Sequence, residues 1–470
     1  KNTKMIQTEY RQENKNSSLI ADFGITNGYK SSTTQRKKNI NHLFGKFEKH
    51  LELKDYFTSK INFFFERVSK DTYLKIFTDN LSDSKIKPNN PDILNSGFDF
   101  ELANEKFSLS GGANIYENLT KLQNDKYQYV FPYYDFSYNS ILTDYGVIDF
   151  TSSGNNILDN TNNQRSRIIN NLSLKANEKI FEKYGIKNNL NFYFKNLNSI
   201  GKNVSNYKSS PQVELQSLVE LNSELPLIKK INNTSEFIIP RVSLRLNPGD
   251  MKNHSEAERK INSDNIFDIN RLGIDDSFES GNSLTFGLDY KRENKSNQKN
   301  FEMKISSVFR DSEESKIPNQ TSLNKKNSNL FGSINYDFSE IIGVNYDFAI
   351  DNKIQKFEYN SIGLNFSLNN FVTEFNFIEE EISSGNTNVF ENISTYNFNQ
   401  QNSIKFQTRR NREIDLTEYY NFVYEYKNDC LTAGIKFNKT YYEDRDLKPA
   451  QNLMFTISFY PITSVDQKFK

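Results

Sequence analysis

From Leu330 to Phe377, apolar and polar side chains alternate residue by residue, broken only by short polar turns. Ile334, Tyr336 and Phe338 share one parity. Leu364, Phe366 and Leu368 form a second such set, and Thr373, Phe375 and Phe377 a third. Successive side chains of a strand point to opposite faces. The pattern therefore predicts sheets with one apolar and one polar face. A chain that repeats it must keep many apolar faces away from water, and where they go decides the fold.

The same signature recurs along the chain. Leu19, Ala21, Phe23 and Ile25 share a parity. Phe98, Phe100 and Leu102 predict a strand that turns tightly through Asn104, Glu105 and Lys106 into a second one carrying Phe107 and Leu109. Tyr127, Tyr129 and Phe131 make an aromatic file that changes parity after Pro132, which predicts a bulge there. Leu190, Phe192 and Phe194 mark another strand. Segments of about ten residues separated by turns are the period of transmembrane β-strands. The polar stretches 250–264 and 292–300 are expected as loops outside the membrane, with at most one helical turn near Ser255.

Two architectures can use this pattern. A β-sandwich buries one face of each sheet, but at about 100 residues per unit it would need several domains and linkers. No linker, composition shift or fixed-period repeat breaks the 470 residues. A membrane barrel buries its outer faces in lipid and fills its lumen with polar groups. That reconciles 39 Phe and 26 Tyr with a mean hydropathy of -0.74. The fold expected is all-β, a large transmembrane antiparallel β-barrel of about 25–26 strands, with residues 1–470 as one barrel domain.

Chemistry-bearing motifs are sparse. The 59 basic and 59 acidic residues cancel, which argues against nucleic acid as a partner. His42, His50 and His254 have no ligand spacing, so neither a zinc site nor any other metal or cofactor is expected. No phosphate loop or nucleophile elbow is present, and no catalytic residues are assigned. Glu379–Glu381 and the pair Asp275 and Asp276 read as solvated charge. Arg409, Arg410 and Arg412 read as loop or lumen charge, with anionic head groups as the alternative. The lone Cys430 is either a stray thiol or a disulfide partner for a cysteine outside the chain. Lys1 opens no leader-like segment, and the chain is expected to be the C-terminal part of a longer exported precursor.

Several stretches, in order, resemble the LptD family of outer-membrane lipopolysaccharide-assembly proteins. The segment from Tyr419 through Tyr426 to Cys430 and Leu431 is similar to late barrel strands of that family, as is Leu453-Met454-Phe455-Thr456-Ile457-Ser458-Phe459. Ile6 to Arg11 resembles an early strand. Ile239 to Leu244, Asp264 to Phe267, Asn270 to Gly273 and Glu279 to Leu288 resemble the central region.

The resemblance implies a translocon that inserts lipopolysaccharide into the outer leaflet, without catalysis. It implies an LptE-like plug lipoprotein and a periplasmic bridge protein docking on an N-terminal jellyroll that this chain lacks. Leu453, Phe455, Thr456, Ile457, Ser458 and Phe459 would form the closing strand of a lateral gate, ended by Pro461. Cys430 would pair with the missing domain. The alternative expectation is a general porin or gated nutrient receptor; a barrel lipase would need a Ser/His pair that the sequence does not display.

Overall fold

The computed structural model describes residues 4–29, 38–78, 80–81, 84–121, 125–294, 300–381, 386–441, 449–459 and 463–469. The fold is all-β. One sheet holds 26 strands, and beside them are the four-residue helix Tyr73–Ile76 and the short 3-10 turn Asn319–Thr321. Pairing is antiparallel between strands adjacent in the chain, as in Lys4–Asn14 with Ser17–Tyr29 and Leu330–Asp337 with Ile342–Ile350. The contacts cluster in two compact units. One comprises mainly Lys1–Ala176 and Phe192–Ser217, the other mainly Asn177–Asn191 and Leu218–Glu443.

The alternation survives as geometry. On Gly281–Asn294, Phe286 and Leu288 are 43% and 38% exposed, while Ser283 and Thr285 on the opposite parity are 4% and 0% exposed. The register carries each face from strand to strand: Phe286 pairs with Ser307 and Leu288 with Ile305, and Ile334 with Met303. Cross-strand partners point the same way, so one face collects Leu284, Phe286, Ile305 and Ile334. Burying a Phe or Leu contributes about 1.5–3 kcal/mol. A sheet that leaves a whole face of them outward is stable only against hydrocarbon. The expected hairpin lies where predicted, with Ala103 paired to Ser108 across Asn104–Lys106. The register also shifts between Val130 and Tyr133, on either side of Pro132.

In each unit one end of the strands carries short turns and the other longer connections. Short ones are 104–106 and 144–145 in the first unit, and 369–370 and 428–430 in the second. Opposite them lie 69–92 in the first and 248–280 and 311–329 in the second. Short periplasmic turns and long extracellular loops are the rule for outer-membrane barrels.

Three expectations change here. The stretch 250–264 forms no strand, and it folds back: Met251, Ile261 and Ser263 are buried against the polar face of its own unit, while Glu256, Glu258 and Lys260 stay exposed. Residues 255–261 form no helix. Of 292–300, Arg292–Asn294 and Asn300 are strand, and 295–299 lie outside the described residues. Leu453–Phe459 is also not the last strand. It belongs to Ala450–Phe459, which pairs on one side with Leu431–Thr440 and on the other with Thr463–Phe469.

Candidate functional site: the inward-folded connections

In the second unit the connections 248–280 and 311–329 build an apolar core on the polar face of the sheet. Met251, Ile261, Ile266, Leu272 and Ile274 from the first meet Ile317 and Leu323 from the second, with Val308, Phe331 and Ala349 on the strands below. Local turn chemistry shapes the connection. Asn262 Oδ1 accepts from the backbone N–H groups of Asp264 and Asn265 at 3.1 and 2.9 Å, a side-chain-built turn. Gly273 then takes a φ of 65°, a left-handed conformation that glycine enters without steric cost. The two connections also bind each other: the His254 N–H donates to the Lys316 carbonyl at 2.8 Å, and Asn319 N–H to the Ser255 carbonyl at 3.0 Å.

Under this core lies a buried ionic cluster. Arg271 donates through Nε and Nη2 to the two carboxylate oxygens of Glu279, both at 2.7 Å. Its remaining donors reach Thr285 Oγ1 at 2.8 Å, Ser283 Oγ at 3.0 Å and the Ile266 carbonyl at 3.2 Å. Arg310 also donates to Glu279 and to the Ser280 carbonyl. Arg245 donates to Glu220 at 2.9 Å and to the Phe267 and Asp268 carbonyls at 2.8 Å each. Glu220, Arg245, Thr285 and Arg310 stand on strands, while Arg271 and Glu279 belong to the connection. The cluster is therefore a latch between wall and loop. Three arginines against two glutamates leave it one positive charge in excess. Burial alone would push the Glu279 carboxyl up, but the arginines, Arg271 first, outweigh it and hold it at about 2.

Next to the latch, Arg241 lies over the Phe267 ring at 4.6 Å and bonds Asp289 at 3.4 Å. A polar cavity of about 210 Å³ opens there between Arg241, Lys187, Asn222 and Glu224. A second, of about 220 Å³, is lined by Arg259, Lys260, Asn329, Tyr359 and Glu380. Lys260 sits over the Tyr359 ring and pairs with Glu380 at 3.3 Å.

The first unit repeats the device with other residues. The connection 69–92 lays Tyr73, Leu74, Phe77 and Leu81 against Ile40, Phe44 and Leu94. His42, on Lys38–His50, bonds the Tyr73 hydroxyl through Nδ1 at 2.8 Å and Asp22 through Nε2 at 3.2 Å. Gln7 and Ser84 donate to the same Asp22 carboxylate. A Cβ on Gly24 would come within 2.4 Å of the His42 ring, so the missing side chain is what lets the imidazole lie over the strand. Burial and the nearby Asp22 carboxylate push the Tyr73 hydroxyl upward.

The residues singled out in the sequence fall elsewhere. Cys430 is an exposed free thiol in the short turn 428–430, where its N–H bonds Asn428 Oδ1 at 3.0 Å. Phe455, Ile457 and Phe459 are exposed on one face of their strand with Leu453, and Thr456 lies on the other; the Ser458 side chain and Pro461 lie outside the described residues. With a further strand beyond them, these six residues do not close the sheet in the described chain, and the lateral-gate assignment loses that footing. Arg409 pairs with Glu418 at 2.9 Å and Arg410 with Asp415. His254 pairs with Asp276 at 2.9 Å and His50 with Glu48 at 3.3 Å. Among the described residues no cluster of three His, Cys, Asp or Glu side chains is placed to hold a metal ion.

Sequence reasoning missed both latches. Their signal was apolar residues outside any alternating run: Ile261, Ile266, Leu272 and Ile274 within one connection, and Tyr73, Leu74, Ile76 and Phe77 within the other.

A polar-faced, apolar-backed antiparallel sheet of this size defines an outer-membrane β-barrel, and the outer membrane is where the chain resides. Its sequence matches no family model and no curated protein. Among solved structures it is similar to the siderophore receptor PirA of Pseudomonas aeruginosa, at 8% identity and a TM-score of 0.40, covering 100% of this chain and 80% of that one. It is also similar to the ferric enterobactin receptor PfeA of the same organism, at 8% identity and TM-score 0.32, covering 99% and 74%. A third likeness is to the copper transporter OprC, at 6% identity and TM-score 0.28, covering 97% and 72%. Likeness at this level assigns no substrate.

These matches correct the family expectation. They are transport receptors rather than lipopolysaccharide-assembly proteins. Membership of the LptD family is withdrawn, and with it the lipopolysaccharide translocon, the LptE-like plug, the periplasmic bridge protein and lipopolysaccharide itself as partners.

Proposed function

We propose that residues 1–470 act as one barrel domain, a gated outer-membrane uptake protein for a small polar solute, without a catalytic step. The observation that carries this reading is the latched connection 248–280, folded onto the polar face and held by Arg271 and Glu279. A loop fastened onto the polar face by one buried ion pair holds a single position and yet is free to leave it once that pair is broken, which is what a gate requires. Truncating one partner of a buried ion pair costs about 3–5 kcal/mol, so the latch is strong enough to keep the connection down and local enough to be released. The polar cavities beside it, around Arg241 and around Tyr359, give an incoming solute mixed-charge surfaces to bind.

The test is solute entry into liposomes. The purified chain should admit small sugars and amino acids slowly, and the Glu279→Ala variant several-fold faster. Equal, fast entry in both would show an open porin; no entry in either would remove the uptake reading.

A further inference from the structure

A cavity of about 430 Å³ opens on the first unit between Pro132, Gly154, Ile168, Ile200, Pro211 and Val213. It lies on the apolar face. Gly154 pairs with both Tyr134 and Ile168, and farther along the same register Phe150 pairs with Tyr138 and Leu172. Ile168, Leu172 and Val213 are exposed there. The depression has a structural cause. A Cβ on Gly154 would come within 2.3 Å of the Tyr134 ring, so the ring lies flat on the glycine backbone instead of standing out from the sheet.

The polar groups on this face are turned to one another. Tyr134 Oη and Ser152 Oγ are 3.1 Å apart, Ser152 donates to Asn170 at 2.7 Å, and Asn170 to Asn196 at 3.0 Å. Asn198 joins them through Asn196 at 2.7 Å, and Ser166 bonds Asn156 at 2.7 Å. A polar group left unpaired in hydrocarbon costs several kcal/mol. This ladder removes that cost by pairing within the wall, and leaves the cavity an apolar lining.

We propose that this cavity is a binding site for one acyl chain of a membrane lipid. The outward face is in contact with hydrocarbon, and an apolar void there has lipid chains as its solvent. Its shape, set by Gly154 and the two prolines, holds one chain in place, whereas the remainder of the face has only exchanging neighbours. The site lies at the strand ends joined by the connections 160–162 and 203–211, the end that carries the unit's longer loops.

The chain contains no tryptophan, so a single introduced one reports locally. Val213→Trp at the cavity rim is compared with Phe286→Trp on the apolar face of the other unit. Each full-length variant, in detergent micelles, is titrated with phosphatidylcholine brominated in its acyl chains. The proposal predicts quenching at Val213→Trp that saturates near one lipid per chain and is reversed by unbrominated lipid, while quenching at Phe286→Trp grows only with the lipid fraction of the micelle. Adding Ile168→Phe, which narrows the cavity, should abolish the saturable part. Ile200→Trp is the reporter if Val213→Trp fails the heat-modifiability test for a folded barrel. The same unsaturable curve at both positions would overturn the proposal, as would a saturable curve that Ile168→Phe leaves unchanged.

Discussion

Arg271 and Glu279 share two hydrogen bonds of 2.7 Å although both belong to one connection, eight positions apart. The pair would be an ordinary loop contact were it not that Arg271 also reaches Ser283 and Thr285 on the wall, and that Arg310 from the wall reaches Glu279. The connection is thus fastened by its own charges to the face it covers.

Removing Glu279 leaves three buried arginines facing one remaining carboxylate. Glu279→Ala is expected to destabilise the packing of 248–280 by about 3–5 kcal/mol. Hydrogen exchange should rise throughout this connection and 311–329 while the strand amides keep their protection. Arg271→Lys should behave similarly, since an ammonium cannot supply the two-pronged contact.

The same pair sets an acid limit. The Glu279 carboxyl is depressed from 4.5 to about 2. A carboxyl whose folded pKa is depressed stabilises the folded form above its unfolded pKa and loses that contribution as pH falls through the folded value. The latch should hold unchanged at neutral pH and down to about 4.5, then weaken toward 2. Limited proteolysis of the connection with pepsin across that window would show cleavage rising only below 4.5, and Glu279→Gln should be cleaved at every pH of the series.

In the first unit, Asp22 anchors His42, Ser84 and Gln7. Asp22→Ala strands the buried His42 and Ser84, at about 1–3 kcal/mol for each unsatisfied group, while the exposed Gln7 amide turns to water. The connection 69–92 should become protease-sensitive while heat-modifiable gel mobility, the mark of an intact barrel, persists. Tyr73→Phe removes one hydrogen bond and should cost about 1 kcal/mol.

The assignment of faces predicts an asymmetry. Phe286→Arg places a charge on the apolar face and should cost about 2–4 kcal/mol near mid-membrane. Asn335→Arg, on the polar parity of Leu330–Asp337, should cost far less. Urea titrations of the refolded chain in lipid would separate the two.

The strands were legible because a period of two is written into side chains that must be apolar on one face, as Ile334, Tyr336 and Phe338 show. Pro132 likewise betrayed its bulge, since it cannot join the ladder. The latches were not legible: Arg271 and Glu279 are eight residues apart in a segment rich in polar residues, and Arg245 and Arg310 come from strands that only the register brings near them. The last strand escaped because Val465 is the one aliphatic residue between Thr463 and Gln467, which gave no alternation to read. The family resemblance failed for a related reason. Alternating aromatic strands such as Tyr419–Tyr426 follow from membrane physics and recur in barrels of unlike function.

The most direct test of the gated-uptake account is ion conductance in planar bilayers. The wild-type chain should give small or infrequent openings, and the double variant Arg271→Ala with Glu279→Ala should give large, sustained ones at the same protein density. Identical conductance of the two, at any level, would contradict a gate built on this latch.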